Sequence, residues 1–215
     1  MVARVQPETW GVQTLQPINI LVMWSGGIDS TFTLARLLKE TNHNIHAHHI
    51  HICNRERRNQ HEERAINALV PKLKGIRDFT LSASAIDHRQ YLHIPLDMAI
   101  VCFEAGAIAR EHINRADKLK FDKWTIGTHK AEGHNHERWE VIKHATAAAC
   151  WPNKPPEFEL QPFETKGQEM VYLKELGLLN DCWFCRTPIG VHSCGMCKTC
   201  IEVKEELNHA NTNSA

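Results

Sequence analysis

Apolar residues along this chain fall into two alternating rhythms. Residues 20–23 and 45–53 are short runs of strand type. Each is followed by a stretch with helical spacing: Phe32, Leu34, Leu37 and Leu38 after the first, Ala65, Ile66, Leu69 and Val70 after the second. The second helix is expected to end near Pro71, because proline lacks the N–H that a helix interior uses. Further along, DFTLSA (78–83) predicts a third strand and LDMAIVCFEAGAIAREHINRA a long, mostly apolar helix. KWTIGTHK predicts a strand running into a Gly-Thr loop, and ERWEVIKHATAAAC a helix closed by the proline-rich stretch 152–156. TKGQEMVYLKELGL is a last amphipathic helix before the cysteines. Strands alternating with helices predict an α/β fold, a parallel sheet sandwiched by helices. Ligands of such sheets bind beyond the carboxyl ends of the strands.

At that position after the first strand lies SGGIDS, residues 25–30. The adjacent Gly26 and Gly27 permit backbone shapes barred to other residues and let a ligand approach the main chain. Ser30 and Thr31 stand at the mouth of the helix, whose unpaired N–H groups and dipole suit a phosphate. The spacing is neither that of a P-loop nor that of a dinucleotide fingerprint. A lone Gly-Gly would read as an ordinary strand-to-helix turn. All six residues, in a strand–turn–helix context, resemble the SGGxDS pyrophosphate-binding loop (PP-loop) of the ATP pyrophosphatase superfamily. That resemblance implies a Rossmann-like ATP-binding domain, with Ser25, Gly26, Gly27, Asp29, Ser30 and Thr31 around the phosphates of ATP.

Charge and length narrow the picture. The 215 residues suffice for one α/β domain with a small appendage, without disulfide staples. Lys plus Arg equals Asp plus Glu, 25 against 25, so no global basic field recruits nucleic acid. With no long apolar run and no charged-then-apolar leader, neither a membrane span nor a signal peptide is expected, and the location is cytoplasmic. Residues 1–17, with Pro7, Gly11 and Pro17, are expected to form an irregular arm, and 18–180 the ATP-binding domain. The remaining 181–215 form a zinc-binding segment with a terminal helix. Histidines cluster in HAHHIH, but strand alternation puts His46 and His48 on one face and His49 and His51 on the other. That split weakens any single-metal reading and leaves them as ordinary strand residues facing solvent.

Cysteine usage divides the chain. Cys53, Cys102 and Cys150 are scattered and expected to be buried or inert, whereas five cysteines crowd into residues 182–200. CWFCRTPIGVHSCGMCKTC places Cys185, Cys194, Cys197 and Cys200 at C-x8-C-x2-C-x2-C. Four thiolates at about 2.3 Å make a tetrahedral Zn²⁺ site with no open position, hence a structural one. Without a leader, metal ligation is the better reading than disulfides. Cys182 is the spare thiol, and His192 is a weaker candidate ligand than any thiolate.

Loop and cluster together, in this order, resemble the 7-cyano-7-deazaguanine synthase family of queuosine biosynthesis. QHEERAINAL is similar to that family's basic helix after strand two, and GQEMVYLKELGLL to its last helix before the cysteines. Lys166 falls where the family has a lysine, which would neutralise ATP phosphates. The resemblance implies that 7-carboxy-7-deazaguanine attacks ATP, its phosphates shielded by Mg²⁺. Ammonia then gives an amide, and a second activation and dehydration gives the nitrile. It also implies a homodimer whose partners are the small deazapurine carboxylate and ammonia, with neither membrane nor nucleic acid. Three segments depart from the family pattern. HICNRERR replaces an aspartate-tyrosine-glycine stretch, IPLDM keeps Pro95 but loses an arginine, and EGHNHER retains only Gly133 and Arg138. Because these regions hold the deazapurine in the family, the candidate substrate contacts are Gly127, Thr128, His134, His136 and Arg138. The altered loops keep open an amide ligase acting on a related carboxylate. A tRNA-thiolating enzyme would need reactive cysteines, and a non-enzymatic zinc module that binds nucleic acid would leave SGGIDS idle.

Overall fold

β1 (Asn19–Met23) is buried from Ile20 onward because it has a strand on either side and helices above and below. The computed structural model describes residues 16–91, 97–115, 118–128, 136–160 and 165–212. Its sheet is parallel throughout, in the order β3-β2-β1-β4-β5. The other strands are β2 (Asn44–Cys53), β3 (Thr80–Asp87), β4 (Lys123–Ile126) and β5 (Glu157–Phe158). Residues of β1 alternate between two cores. Ile20 and Val22 pack with α1 (Ile28–Glu40), α2 (Asn59–Ile76) and α5 (Lys166–Glu175), joined by Val203 of α6 (Lys198–Thr212). Leu21 and Met23 pack on the other side with α3 (Asp97–Asn114) and α4 (His136–Cys150). The α/β sandwich expected from the alternation is therefore present.

Strand order reverses between β1 and β4. The chain builds outward through β2 and β3, then crosses back to lay β4 on the other side of β1. Such a switch point opens a crevice at the carboxyl ends of the strands. Residues 24–27 leave β1 at that crevice.

Several expectations need correction. α2 does not stop near Pro71 but runs on to Ile76. Fully buried Leu73 extends the apolar stripe of Ala65, Ile66 and Leu69 by a turn, while Pro71 and Asn67 lie on the solvent side, where the carbonyl that proline cannot pair is open to water. The third strand begins at Thr80 and reaches Asp87, and Phe79 is committed to the core at its entrance. The two-residue edge strand β5 is too short to announce itself by periodicity. His46, His48 and His49 do not face solvent: β2 is an inner strand covered on both faces, and all three are buried. Ser82 Oγ bonds both His46 Nε2 and His48 Nδ1 at 2.7 Å, and Ser84 Oγ bonds His48 Nε2 at 3.0 Å. Burial pushes His46, His48 and His49 down to about 4, so they are neutral at pH 7. Residues 1–15 of the expected arm lie outside the described residues. Among the described residues no helix is long and apolar enough to cross a membrane.

Candidate functional site

The turn after β1 is shaped by its glycines. Gly26 takes the left-handed conformation, φ +76°, and extended Gly27 caps α1 with no side-chain hydrogen bond. The start of the helix is thus left to an incoming ligand, as anion sites require. Ser25 and Ser30 brace it: their hydroxyls lie 3.0 Å apart, Ser30 Oγ accepts from Ser25 N at 3.2 Å, and Gly27 N donates to Ser25 Oγ at 3.3 Å. Thr31 departs from the phosphate-binding role expected of it. It is fully buried, and its hydroxyl accepts from the Trp24 indole at 3.0 Å, so it holds the helix to the end of β1 and points away from the crevice.

Two residues from distant segments meet this turn. Lys166 begins α5, whose start is fixed by a capping box between Thr165 and Gln168. Its buried ammonium donates to Asp29 Oδ1 in the first turn of α1. Lys166 is therefore at the turn, but it is engaged by Asp29, and Asp29 acts as an anchor. Gly127 follows β4 and presses its backbone on the same helical turn. A Cβ there would lie 2.2 Å from Ser30 N and 2.5 Å from Asp29 C. Expected as a substrate contact, Gly127 instead permits the close approach of β4 and α1; half-buried Thr128 follows it. His134 lies outside the described residues, while His136 and Arg138 fall in the first turn of α4.

Beside Ser25, a cavity of about 80 Å³ is lined by Trp24, His48, His49, Arg58, Glu62 and Asp97, among others. Arg58 pairs there with Asp97 at 2.6 Å, Glu62 at 3.2 Å and Glu56 at 3.4 Å. Arg186, from the cysteine segment, also pairs with Asp97 at 2.7 Å. Burial pushes the Glu62 carboxyl up to about 7, against the opposing pull of Arg58. Sequence reasoning missed this group. Arg58 and Glu62 stand at i,i+4 spacing, a visible signal, but nothing local ties them to Asp97 and Arg186.

The ligand atoms of Cys185, Cys194, Cys197 and Cys200 all lie within 4.8 Å of one another. Cys194 and Cys200 sulfurs are 3.9 Å apart, close to the ~3.8 Å edge of a tetrahedron with Zn–S near 2.3 Å. Backbone N–H groups of Cys194 and Cys197 point at the sulfurs of Cys185 and Cys194, each at 3.2 Å, as thiolates favour. Hydrogen bonds from the Thr187 hydroxyl and from the Met196 and Cys197 backbones hold the Cys194 thiol down to about 6. Four sulfurs at this spacing fit a thiolate-loving metal. Cys182 stands apart, buried against the Leu178 carbonyl, and His192 is exposed in a bridge with Ile189. Trp183 binds this segment to the glycine turn. Its N–H donates to Gly26 O at 3.0 Å, its ring stacks on His61 at 4.2 Å, and its indole donates to Cys185 O at 2.8 Å.

No protein-family model and no curated protein sequence matches the chain. Among solved structures it is similar to the U34-tRNA thiolase NcsA from Methanococcus maripaludis with its [4Fe-4S] cluster, at 17% identity. That likeness has a TM-score of 0.45 and covers 93% of this chain and 68% of the other. Neither activity nor cluster is carried over from it.

Proposed function

We propose that this chain is an ATP-dependent carbon–nitrogen ligase of the PP-loop type, acting on 7-carboxy-7-deazaguanine to give 7-cyano-7-deazaguanine. The carrying observation is the SGGIDS turn, which sits at the strand-order reversal with an uncapped helix start behind it. ATP enters with Mg²⁺, which shields its phosphates; the turn's N–H groups and the Ser25 and Ser30 hydroxyls receive the pyrophosphate. The substrate carboxylate attacks the α-phosphorus, forming an acyl-adenylate and releasing pyrophosphate. Ammonia displaces AMP to give the amide. The amide oxygen attacks a second ATP, again releasing pyrophosphate, and loss of AMP and protons leaves the nitrile. Positioning supplies most of the rate, so no nucleophilic side chain is needed. Lys166 fixes Asp29 and hence the pitch of the first helical turn, and Gly127 sets its height above β4. Cys185, Cys194, Cys197 and Cys200 would hold a structural Zn²⁺, whose contribution is to fix Trp183 and Arg186 against the site.

A second reading, an amide ligase that stops before dehydration or takes another acid, draws support from HICNRERR, which replaces a deazapurine-holding stretch of the family with arginines. Incubation with ATP, ammonia and 7-carboxy-7-deazaguanine, followed by mass spectrometry, separates the two. Nitrile supports the first reading, amide alone the second. Pyrophosphate release with another acid but no turnover of this one removes the deazapurine assignment.

A further inference from the structure

The connection from β2 to α2 borders a second cavity of about 570 Å³, within the ~300–1,000 Å³ range of small-molecule sites. Asn54, Arg55, Arg57, Asn59, Gln60 and Arg89 line it, and among the described residues no carboxylate does. It stands at the carboxyl ends of β2 and β3, on the same rim of the sheet as the glycine turn. Arg58, next along the chain, lines the small cavity beside Ser25, so one connection serves both.

Charges in this connection are sorted in an uneven way. Glu56 turns to Arg58 and Arg186, at 3.4 and 3.6 Å. Arg89 is paired with Asp87 at 2.5 Å. Among the described residues Arg55 and Arg57 form no ion pair, although both border the cavity. Arg57 is moreover held at φ +58°, a conformation uncommon for a side-chain-bearing residue. Asn54 is only 4% exposed. Its Oδ1 accepts from Glu56 N at 3.0 Å, but its buried Nδ2 has no hydrogen-bond partner.

We propose that this cavity binds the phosphate of a small phosphomonoester, with Arg55 and Arg57 carrying its charge. Two guanidiniums that form no ion pair among the described residues match the near-double charge of a phosphate better than the single charge of a carboxylate. Zero net charge on the chain favours a small molecule over a nucleic-acid backbone. The cavity is separate from the glycine turn, so a variant of that turn tells failure of this inference from failure of ATP binding.

Titration calorimetry of the full chain with guanosine monophosphate, without ATP, tests it. Binding is expected in the wild type, absent for guanosine, and weakened at least tenfold in the double variant Arg55→Ala/Arg57→Ala. Gly27→Val should bind the probe as the wild type does. Arg57→Gly, which suits the left-handed backbone, guards against misfolding of the double variant and should also weaken binding. Equal binding in the arginine variants, loss only in Gly27→Val, or no binding at all would overturn the proposal. So would tighter arginine-dependent binding of an RNA oligonucleotide without terminal phosphate.

Discussion

Replacing Gly127 by alanine adds one methyl at the tightest contact in the site. The new Cβ would lie 2.2 Å from Ser30 N, 2.3 Å from Ser30 Cα and 2.5 Å from Asp29 C. Ordinary contact begins near 3.4 Å, so β4 and α1 must separate by about 1 Å, and neither backbone can swing aside like a side chain. Overpacking of this kind costs typically 1–3 kcal/mol, and rigid main chain on both sides places it near ~3 kcal/mol. For a chain of this size that lowers Tm by about 6–12 °C. A displacement of 1 Å at a catalytic turn also costs on the order of 10²-fold in rate. Gly75→Ala is the control, since a Cβ there meets nothing within 4 Å and alanine suits the helix interior. Thermal melts and ATP turnover of both variants check the argument. Gly127→Ala with the melting temperature and turnover of Gly75→Ala would refute the packing of β4 on the turn.

Gly27→Val and Asp29→Ala should each abolish ATP turnover in a folded protein. A Cβ at Gly27 already sits 3.2 Å from Ser25 Oγ and 3.3 Å from Trp183 O, and Asp29 is the anchor of Lys166; full turnover in both would remove the turn from the mechanism. Zinc should be retained in Cys182→Ser and lost in Cys197→Ser, by metal analysis; equal loss in both, or iron and sulfide in the purified protein, would contradict a four-thiolate zinc site. Acid should destabilise the fold between pH 6.5 and 4. His46, His48 and His49 titrate near 4 when folded and near 6.5 when unfolded, so their stabilisation is complete above 6.5 and lost as pH falls. At pH 5 each contributes about 2 kcal/mol less than at pH 7, and His48→Gln should flatten the slope of stability measured by urea melts; an unchanged slope would place the pH response elsewhere.

Contiguous signals were legible and long-range ones were not. SGGIDS and the cysteine spacing each bring their residues together within one short segment, so spacing alone could nominate them. The sandwich was legible because β1 and α1 carry different periods side by side. His46 and His48 were misjudged because their partners, Ser82 and Ser84, lie 34–36 residues away on β3, and a polar residue on an inner strand looks like one on an outer strand until the order is known. The inward turn of Thr31 depended on Trp24, whose indole could not be aimed from sequence. Lys166 and Asp29 are 137 positions apart. Arg58 at the start of α2, Asp97 at the start of α3 and Arg186 of the cysteine segment are distant in sequence and meet only in the folded chain.

Cleavage of ATP at the bond between the α and β phosphates is the central claim, and it is read directly by chromatography of the nucleotide products. With 7-carboxy-7-deazaguanine and ammonia present, the account predicts AMP and pyrophosphate in equal amounts, dependent on the acid and absent in Gly27→Val. ADP and inorganic phosphate, or AMP formed equally well by the Gly27→Val protein, would contradict it.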